Sequence, residues 1–108
     1  MERHTLVELT ALILEQAKEK GFGTTPEEIN VAEKIALLHT EVSEAYDAYR
    51  HKNMDGEDGF KEELGDIVQR TLHLAGIFNV DIEEEILKKI TENKKRKWDF
   101  DQMNEKHS

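Results

Sequence analysis

Apolar residues recur at helical spacing along most of this chain, and this periodicity constrains the fold more than any other feature. The clearest case is the segment 31–51, where successive apolar residues are four, three, four, three and four positions apart. These residues are Val31, Ile35, Leu38, Val42, Ala45 and Tyr49. Such a stripe is typical of a helix that packs lengthwise against another helix. The segment is therefore predicted to be a helix with this face in the core.

Three further segments show the same periodicity. A first helix is predicted from about Thr5 to Lys20, with Gly21 ending it, and a third from about Phe60 to Phe78. The core residues predicted for the third helix are Phe60, Leu64, Ile67, Thr71, Leu74 and Phe78. A fourth helix is predicted from the Asp81 cap to about Arg96, because its acidic first turn and basic last turn suit the helix dipole. Four helices with short connections predict an all-α bundle.

Two helix-start signals precede the second helix. Thr25-Pro26-Glu27-Glu28 matches a capping box with proline at the first helical position, and a similar signal begins at Asn30. We expect a short turn at the first signal and the main helix after the second. The glycine- and aspartate-rich residues 51–59 are predicted to be the loop between the second and third helices.

Composition narrows the class of protein. The chain has 108 residues, no cysteine, and 24 acidic against 15 basic side chains, for a net charge of −9. This length predicts a single domain over residues 1–108. With no recognisable signal peptide, membrane span or disulfide, we expect a cytoplasmic protein. The negative charge argues against nucleic acids and anionic membranes as partners, because both are polyanions.

Several motifs of other chemistries are missing from the sequence. There is no G-x-x-x-x-G-K-[ST] loop, no G-x-G-x-x-G loop and no H-E-x-x-H. None of His39, His51 and His73 has a glutamate three positions earlier, which excludes the paired Glu-x-x-His motifs of di-iron bundles. The acidic loop near residue 56 lacks the spacing of an EF-hand. The candidate chemistry is therefore that of carboxylates on helices.

Two pairs of carboxylates are the strongest candidates. Glu41 and Glu44 lie three positions apart in the second helix, as do Glu63 and Asp66 in the third, so each pair shares a helix face. If these helices pack antiparallel across the intervening loop, the pairs can face one another. Four converging carboxylates repel unless cations compensate, and an all-oxygen site suits Mg²⁺ or Mn²⁺. A solvated acidic surface is the alternative, since a chain with 24 acidic residues contains many such pairs.

These pairs belong to a longer ordered pattern that ends in a basic motif. Glu41-Val42-Ser43-Glu44 and Glu63-Leu64-Gly65-Asp66 are separated by 18 residues, and the segment from Lys89 to Arg96 has the form K-x-x-x-N-x-x-R. This combination resembles the signature of the MazG-like nucleoside triphosphate pyrophosphohydrolases. The resemblance covers roughly residues 31–98, which is most of the chain.

The resemblance implies a four-helix bundle that assembles into a homodimer or homotetramer. It also implies Mg²⁺-dependent hydrolysis, with Mn²⁺ as a possible substitute, of a nucleoside or deoxynucleoside triphosphate to the monophosphate and pyrophosphate. The residues implied to hold the metal and to act in catalysis are Glu41, Glu44, Glu63 and Asp66. The residues implied to bind the substrate phosphates are Lys89, Asn93 and Arg96.

Two rival functions stay open at the level of sequence. One is a non-catalytic helical module whose acidic rows are solvated and whose apolar seams bind partner helices. The other is a related hydrolase of a different phosphorylated nucleotide, such as dUTP. Homo-oligomerisation is also expected from the first helix, because its apolar face is wider than a single 12.5 kDa bundle could cover.

Other residues have structural interpretations that we prefer. Arg70 lies four positions after Asp66 and is expected to form a salt bridge within the helix. His39 and His73 are expected to be packed or partly exposed rather than to bind a ligand. Gly65 suggests either a close helix approach or a tolerated mid-helix glycine. The aromatic residues at 98 and 100 are expected to tether the tail to the core.

Overall fold

The computed structural model describes residues 2–96 of the chain. Its four α-helices are α1 (Leu6–Lys20), α2 (Val31–Arg50), α3 (Phe60–Ile77) and α4 (Ile82–Lys95), and a short 3-10 helix, Pro26–Glu28, precedes α2. These four helices agree with the predicted segments to within about a residue or two, and residues 2–96 contain no strand. The all-α class is confirmed. Within these residues, every helix is too short or too polar to span a lipid bilayer.

Side-chain caps explain where three of the helices begin. Thr5 and Glu8 form a capping box at the start of α1, in which each side chain bonds to the other's backbone N–H. Asn30 Oδ1 accepts a hydrogen bond from the Glu33 N–H at the start of α2, at 3.1 Å. The Asp81 side chain caps α4 in the same way. These bonds satisfy backbone donors that a helix start otherwise leaves without partners.

The capping box expected at Thr25 does not form. Its hydroxyl instead donates to the Glu28 carboxylate, 2.9 Å away, and the three residues after it make a 3-10 turn. The expected short turn before the main helix is therefore confirmed, although the bond that was to cap it is not. Gly21 ends α1 as expected, in a left-handed conformation with φ 74°.

The helix pairs in substantial contact are α2 with α3, α1 with α3, and α1 with α4. Their shared core is small and mostly alanine. The buried apolar residues are Ala17, Ala45, Ala48, Leu72, Ala75 and Ile77. Among residues 2–96, no large apolar side chain is wholly buried. One copy of the chain thus leaves much of its apolar surface in contact with solvent.

The core faces predicted for α2 and α3 are buried only in part, since some of their residues are buried or half-buried and others are exposed. Ile35, Val42 and Tyr49 on α2, Leu64 on α3 and Phe78 at the C-terminal cap of α3 are each between 45% and 60% exposed. The reason is geometric, because within one chain α2 has a single helix in substantial contact with it. The exposed part of these faces has no covering element among residues 2–96.

Close approach of two helices occurs at Gly76 rather than at Gly65. A Cβ added at Gly76 would lie 2.8 Å from Leu14 Cδ1, so a larger residue would push α1 away from α3. A Cβ at Gly65 would meet nothing within 4 Å in the described chain. The close approach suggested for Gly65 is therefore not made within one copy.

Candidate functional site

The α2 and α3 helices bring together three of the four predicted carboxylates. Glu41, Glu44 and Glu63 each offer a carboxylate oxygen, and these oxygens all lie within 4.8 Å of one another. Glu44 is one turn after Glu41 on α2, and Glu63 lies in the first turn of α3. The nine-residue loop, 51–59, folds α3 back along α2, so that the two helices that carry these glutamates lie side by side. We call these three residues the acidic cluster.

Two members of the acidic cluster are buried. Glu63 is 3% exposed and Glu41 is 8% exposed, whereas Glu44 is exposed. Burial of a carboxylate costs free energy unless hydrogen bonds or opposite charges compensate. The cluster is therefore not a solvated acidic face.

The compensation is incomplete at both buried residues. Glu41 Oε2 and Glu63 Oε2 are buried, and neither has a hydrogen-bond partner among residues 2–96. Such unpaired buried oxygens are uncommon in folded proteins and require an explanation. A cation bound between the carboxylates would provide one, since three carboxylates are a donor set that hard divalent cations prefer.

The electrostatics of Glu63 reflect its surroundings. Burial, the adjoining Glu41 carboxyl and the charges of Glu44 and Asp66 together raise the pKa of Glu63 from 4.5 to about 7. Burial is the largest of these causes. In the absence of a cation, Glu63 is therefore partly protonated at neutral pH.

Arg70 is the basic residue in contact with the acidic cluster. Its Nη2 lies 3.2 Å from Glu41 Oε1, and the Arg70 side chain is 41% exposed. The prediction of a salt bridge between Arg70 and Asp66 within α3 is therefore wrong, because Arg70 pairs with a residue of α2. Arg70 neutralises one oxygen of Glu41 and leaves the other without a partner.

Asp66, the fourth predicted ligand, lies beside the acidic cluster rather than in it. It is exposed and is not among the carboxylates that share the 4.8 Å grouping, although its charge contributes to the raised pKa of Glu63. Asp66 and Arg70 line a cavity of about 260 Å³ between α1, α2 and α3. We call it the α1 cavity.

A second cavity opens from the acidic cluster at the α2–α3 loop. Its volume is about 430 Å³, and its lining includes Glu44 and Glu63 together with Asp47 and Asp58. We call it the loop cavity. The two cavities differ in chemistry, since carboxylates dominate the loop cavity whereas the α1 cavity also has Lys34 and Arg70.

The predicted phosphate-binding residues of α4 lie on exposed surface. Lys89 pairs with Glu92 at 3.4 Å, Asn93 is exposed, and Arg96 is the C-terminal cap of the helix. Because α4 packs against α1 and makes no substantial contact with α2 or α3, the structure does not bring these residues to the acidic cluster within one chain. Their role stays a prediction.

The two histidines within helices differ in burial. His39 is exposed, and His73 is half-buried with its Nε2 donating to the Gly23 carbonyl at 2.9 Å. Trp98 and Phe100, which were expected to tether the tail, lie outside the described residues. Sequence reasoning missed the glutamines and the lysine of the α1 cavity, because no local motif connects residues so far apart in the chain.

Comparisons with models of protein families, with curated proteins and with solved structures found no match for this chain.

Proposed function

We propose that the protein is a Mg²⁺-dependent nucleoside triphosphate pyrophosphohydrolase of the MazG-like type, acting in the cytoplasm. One observation carries the proposal: two buried glutamates on different helices belong to a group of three carboxylates, and each has a buried oxygen without a hydrogen-bond partner among residues 2–96. A solvated acidic surface would not bury these groups, and a bound cation would compensate the two buried oxygens that have no hydrogen-bond partner among residues 2–96.

The chain's own residues have distinct roles in this proposal. Glu41, Glu44 and Glu63 would hold a divalent cation, and Asp66, whose charge acts on Glu63, is proposed as a fourth ligand. A bound Mg²⁺ would neutralise phosphate charge and lower the pKa of an attacking water. A carboxylate that is not bound to metal accepts the proton of that water.

The reaction consumes one water molecule. Its oxygen forms a new bond to the α-phosphorus, and the bond from that phosphorus to the bridging oxygen of the β-phosphate breaks. The products are a nucleoside monophosphate and pyrophosphate. Arg70, which pairs with Glu41 and is partly exposed, would provide positive charge for the phosphate oxygens.

The proposal includes a homodimer or homotetramer as the active form. Apolar side chains on the outer faces of α2 and α3 are about half exposed in one copy. They are Ile35, Val42, Tyr46, Tyr49, Leu64 and Val68. We call this surface the α2–α3 face. A second copy that covers it would complete the bundle and could bring a second α4, with its Lys89, towards the acidic cluster.

The test is pyrophosphate release from a panel of eight ribo- and deoxyribonucleoside triphosphates, with Mg²⁺ and with EDTA. We expect release from at least one of them and only with the metal. Glu41→Gln and Asp66→Asn should each lower kcat/KM by at least about 100-fold, because each removes charge that acts in the transition state. Glu15→Gln, an exposed carboxylate on α1, is the matched control and should keep full activity.

Circular dichroism of each variant distinguishes lost chemistry from lost fold. Full activity in both Glu41→Gln and Asp66→Asn would exclude the assignment of the site. Release from dUTP alone among a panel extended to include it would favour the narrower hydrolase.

A second function is supported by the exposed α2–α3 face. A helical interaction module would use this apolar surface to bind a partner helix, as exposed apolar stripes commonly do. It would require no metal and release no pyrophosphate, so the same panel separates the two. The unpaired buried oxygens favour the enzyme, because a binding module does not need them.

A further inference from the structure

The α1 cavity adjoins the acidic cluster and has a lining of a different kind. Its volume of about 260 Å³ is slightly below the range of pockets that enclose whole drug-sized ligands, so it suits one ring system. Ala17, which is buried, and the half-buried Ile13 provide an apolar floor. Polar and aromatic side chains of three helices and one loop surround this floor.

Phe22 lies at the edge of the cavity with 55% of its surface exposed. The backbone fixes its position, because the Phe22 N–H donates to the Ala17 carbonyl at 2.8 Å and His73 donates to the Gly23 carbonyl at 2.9 Å. Gly23 itself has φ 94°, and a Cβ there would lie 2.6 Å from Ile29 Cγ2. The loop therefore holds an aromatic ring in solvent at the cavity mouth, where a flat ligand can stack on it.

Two glutamines line the same cavity from opposite elements, Gln16 on α1 and Gln69 on α3. Within residues 2–96, neither side-chain amide has a hydrogen-bond or ionic partner. A glutamine amide offers a donor and an acceptor side by side, which is the arrangement that pairs with the edge of a nucleobase. Two such amides beside an aromatic ring form a set that suits a heteroaromatic ring with polar edges.

The cavity is connected to the acidic cluster through shared residues. Asp66 and Arg70 line it, and Arg70 also contacts Glu41. The loop cavity on the other side is lined by Glu44, Asp47 and Asp58, which suit cations and disfavour an uncharged aromatic ring. Of the two cavities that adjoin the acidic cluster, the α1 cavity is therefore the one with chemistry for a base.

We propose that the α1 cavity binds the nucleobase of the nucleotide, with Phe22 stacked on the ring and Gln16 and Gln69 bonded to its polar edge. The proposal rests on the proposed function, since it assumes that a nucleotide is the ligand. It assigns base selectivity to residues from α1 and α3, and places the phosphates at the acidic cluster with Arg70 between the two.

The test uses binding rather than turnover, so that it does not depend on catalysis. The four common deoxynucleoside monophosphates are titrated, with Mg²⁺, into isotopically labelled full-length protein while the side-chain amide signals are followed by NMR. Gln16→Leu and Gln69→Leu assign the two signals. Deoxyribose 5-phosphate, which lacks a base, is the ligand control, and Glu15→Leu is the protein control on the same helix.

We expect at least one monophosphate to shift both glutamine amide signals, whereas deoxyribose 5-phosphate leaves them in place. Gln69→Leu and Phe22→Ala should each weaken that binding about tenfold or more, and Glu15→Leu should not. The inference is overturned if no monophosphate shifts these signals, or if the base-free sugar phosphate shifts them equally. Pyrophosphate release by the wild-type protein reports separately on the proposed function, so the two failures are distinguishable.

Discussion

Glu63 is a carboxyl group in surroundings that oppose its charge. It is nearly inaccessible to solvent, and its neighbours on α2 and α3 carry the same charge. Its position in the first turn of α3 offers some compensation, because the positive end of the helix dipole favours an anion there. The pKa of Glu63 is nevertheless raised, because burial and the neighbouring negative charges outweigh the helix dipole.

This raised pKa predicts how stability depends on pH without metal. The folded protein keeps the Glu63 proton up to about pH 7, whereas the unfolded chain releases it near 4.5. Between these values the folded state binds more protons, so the free energy of unfolding falls as the pH rises. Glu63→Gln removes that penalty and should raise Tm at pH 8 by about 5 °C or more, with little effect at pH 4.

Thermal denaturation at fixed protein concentration in EDTA measures this effect. Glu15→Gln, at an exposed position on α1, is the control and should behave as the wild type at both pH values. An equal Tm for the wild type and Glu63→Gln at pH 8 would contradict the account of the buried carboxylate.

At the scale of the helix, the local sequence predicted where each helix begins and ends much better than it predicted which helices pack against each other. Asn30 and Asp81 signal helix starts in the sequence, and both caps form. The spacing of the carboxylates predicted that they could face one another if α2 and α3 packed antiparallel, and Glu41 and Glu63 do lie together. It could not predict which carboxylates are buried, because burial depends on the depth at which α2 and α3 cross.

The parts of the site that the sequence did not predict depend on contacts between residues that are far apart in the chain. Gln16 and Gln69 are 53 positions apart and share no motif, so only the packing of α1 on α3 shows that they line one cavity. Likewise, Asp66 is only four positions from Arg70 in the sequence. Arg70 pairs with Glu41 instead because of the way α3 packs on α2.

The α4 helix allows a test at the same scale. Lys89→Ala should raise KM for the triphosphate about tenfold, equivalent to about 1.4 kcal/mol, because the proposal gives this side chain a phosphate contact in the assembled protein. Tm and metal affinity should not change, since Lys89 is 72% exposed and pairs only with Glu92 among residues 2–96.

Lys88→Ala is the matched control for that experiment. Lys88 precedes Lys89 on α4 and forms ion pairs with Glu84 and Glu85 on the same helix. Its removal should leave KM unchanged. Equal KM values in the two variants would contradict the proposed contact between Lys89 and the substrate phosphates.

At the scale of the whole molecule, one copy buries few apolar side chains and leaves many large ones exposed. Its buried apolar residues are mostly alanines, while the larger side chains of the α2–α3 face remain about half exposed. Burial of apolar area stabilises by about 25 cal/mol per Å², so covering this face with a second copy would contribute substantially to stability.

The assembly is testable by sedimentation velocity over a range of concentrations. The wild type should sediment as a dimer or tetramer, and Val42→Lys should shift it towards monomer with a lower Tm, because the substitution places a charge in the interface. Ser43→Lys, on the adjacent exposed position of α2, should leave the mass unchanged. A wild-type monomer at every concentration would contradict this part of the proposal.

In the proposed reaction, buried carboxylates on α2 and α3 hold a cation for hydrolysis at the α-phosphate. The most direct test is phosphorus NMR of a triphosphate that the panel identifies as a substrate, or of each triphosphate in turn if none is identified, incubated with the protein. We expect monophosphate and pyrophosphate in equal amounts, only with Mg²⁺, and neither product with Glu41→Gln. An unchanged spectrum for every triphosphate, or stepwise release of inorganic phosphate, would contradict it.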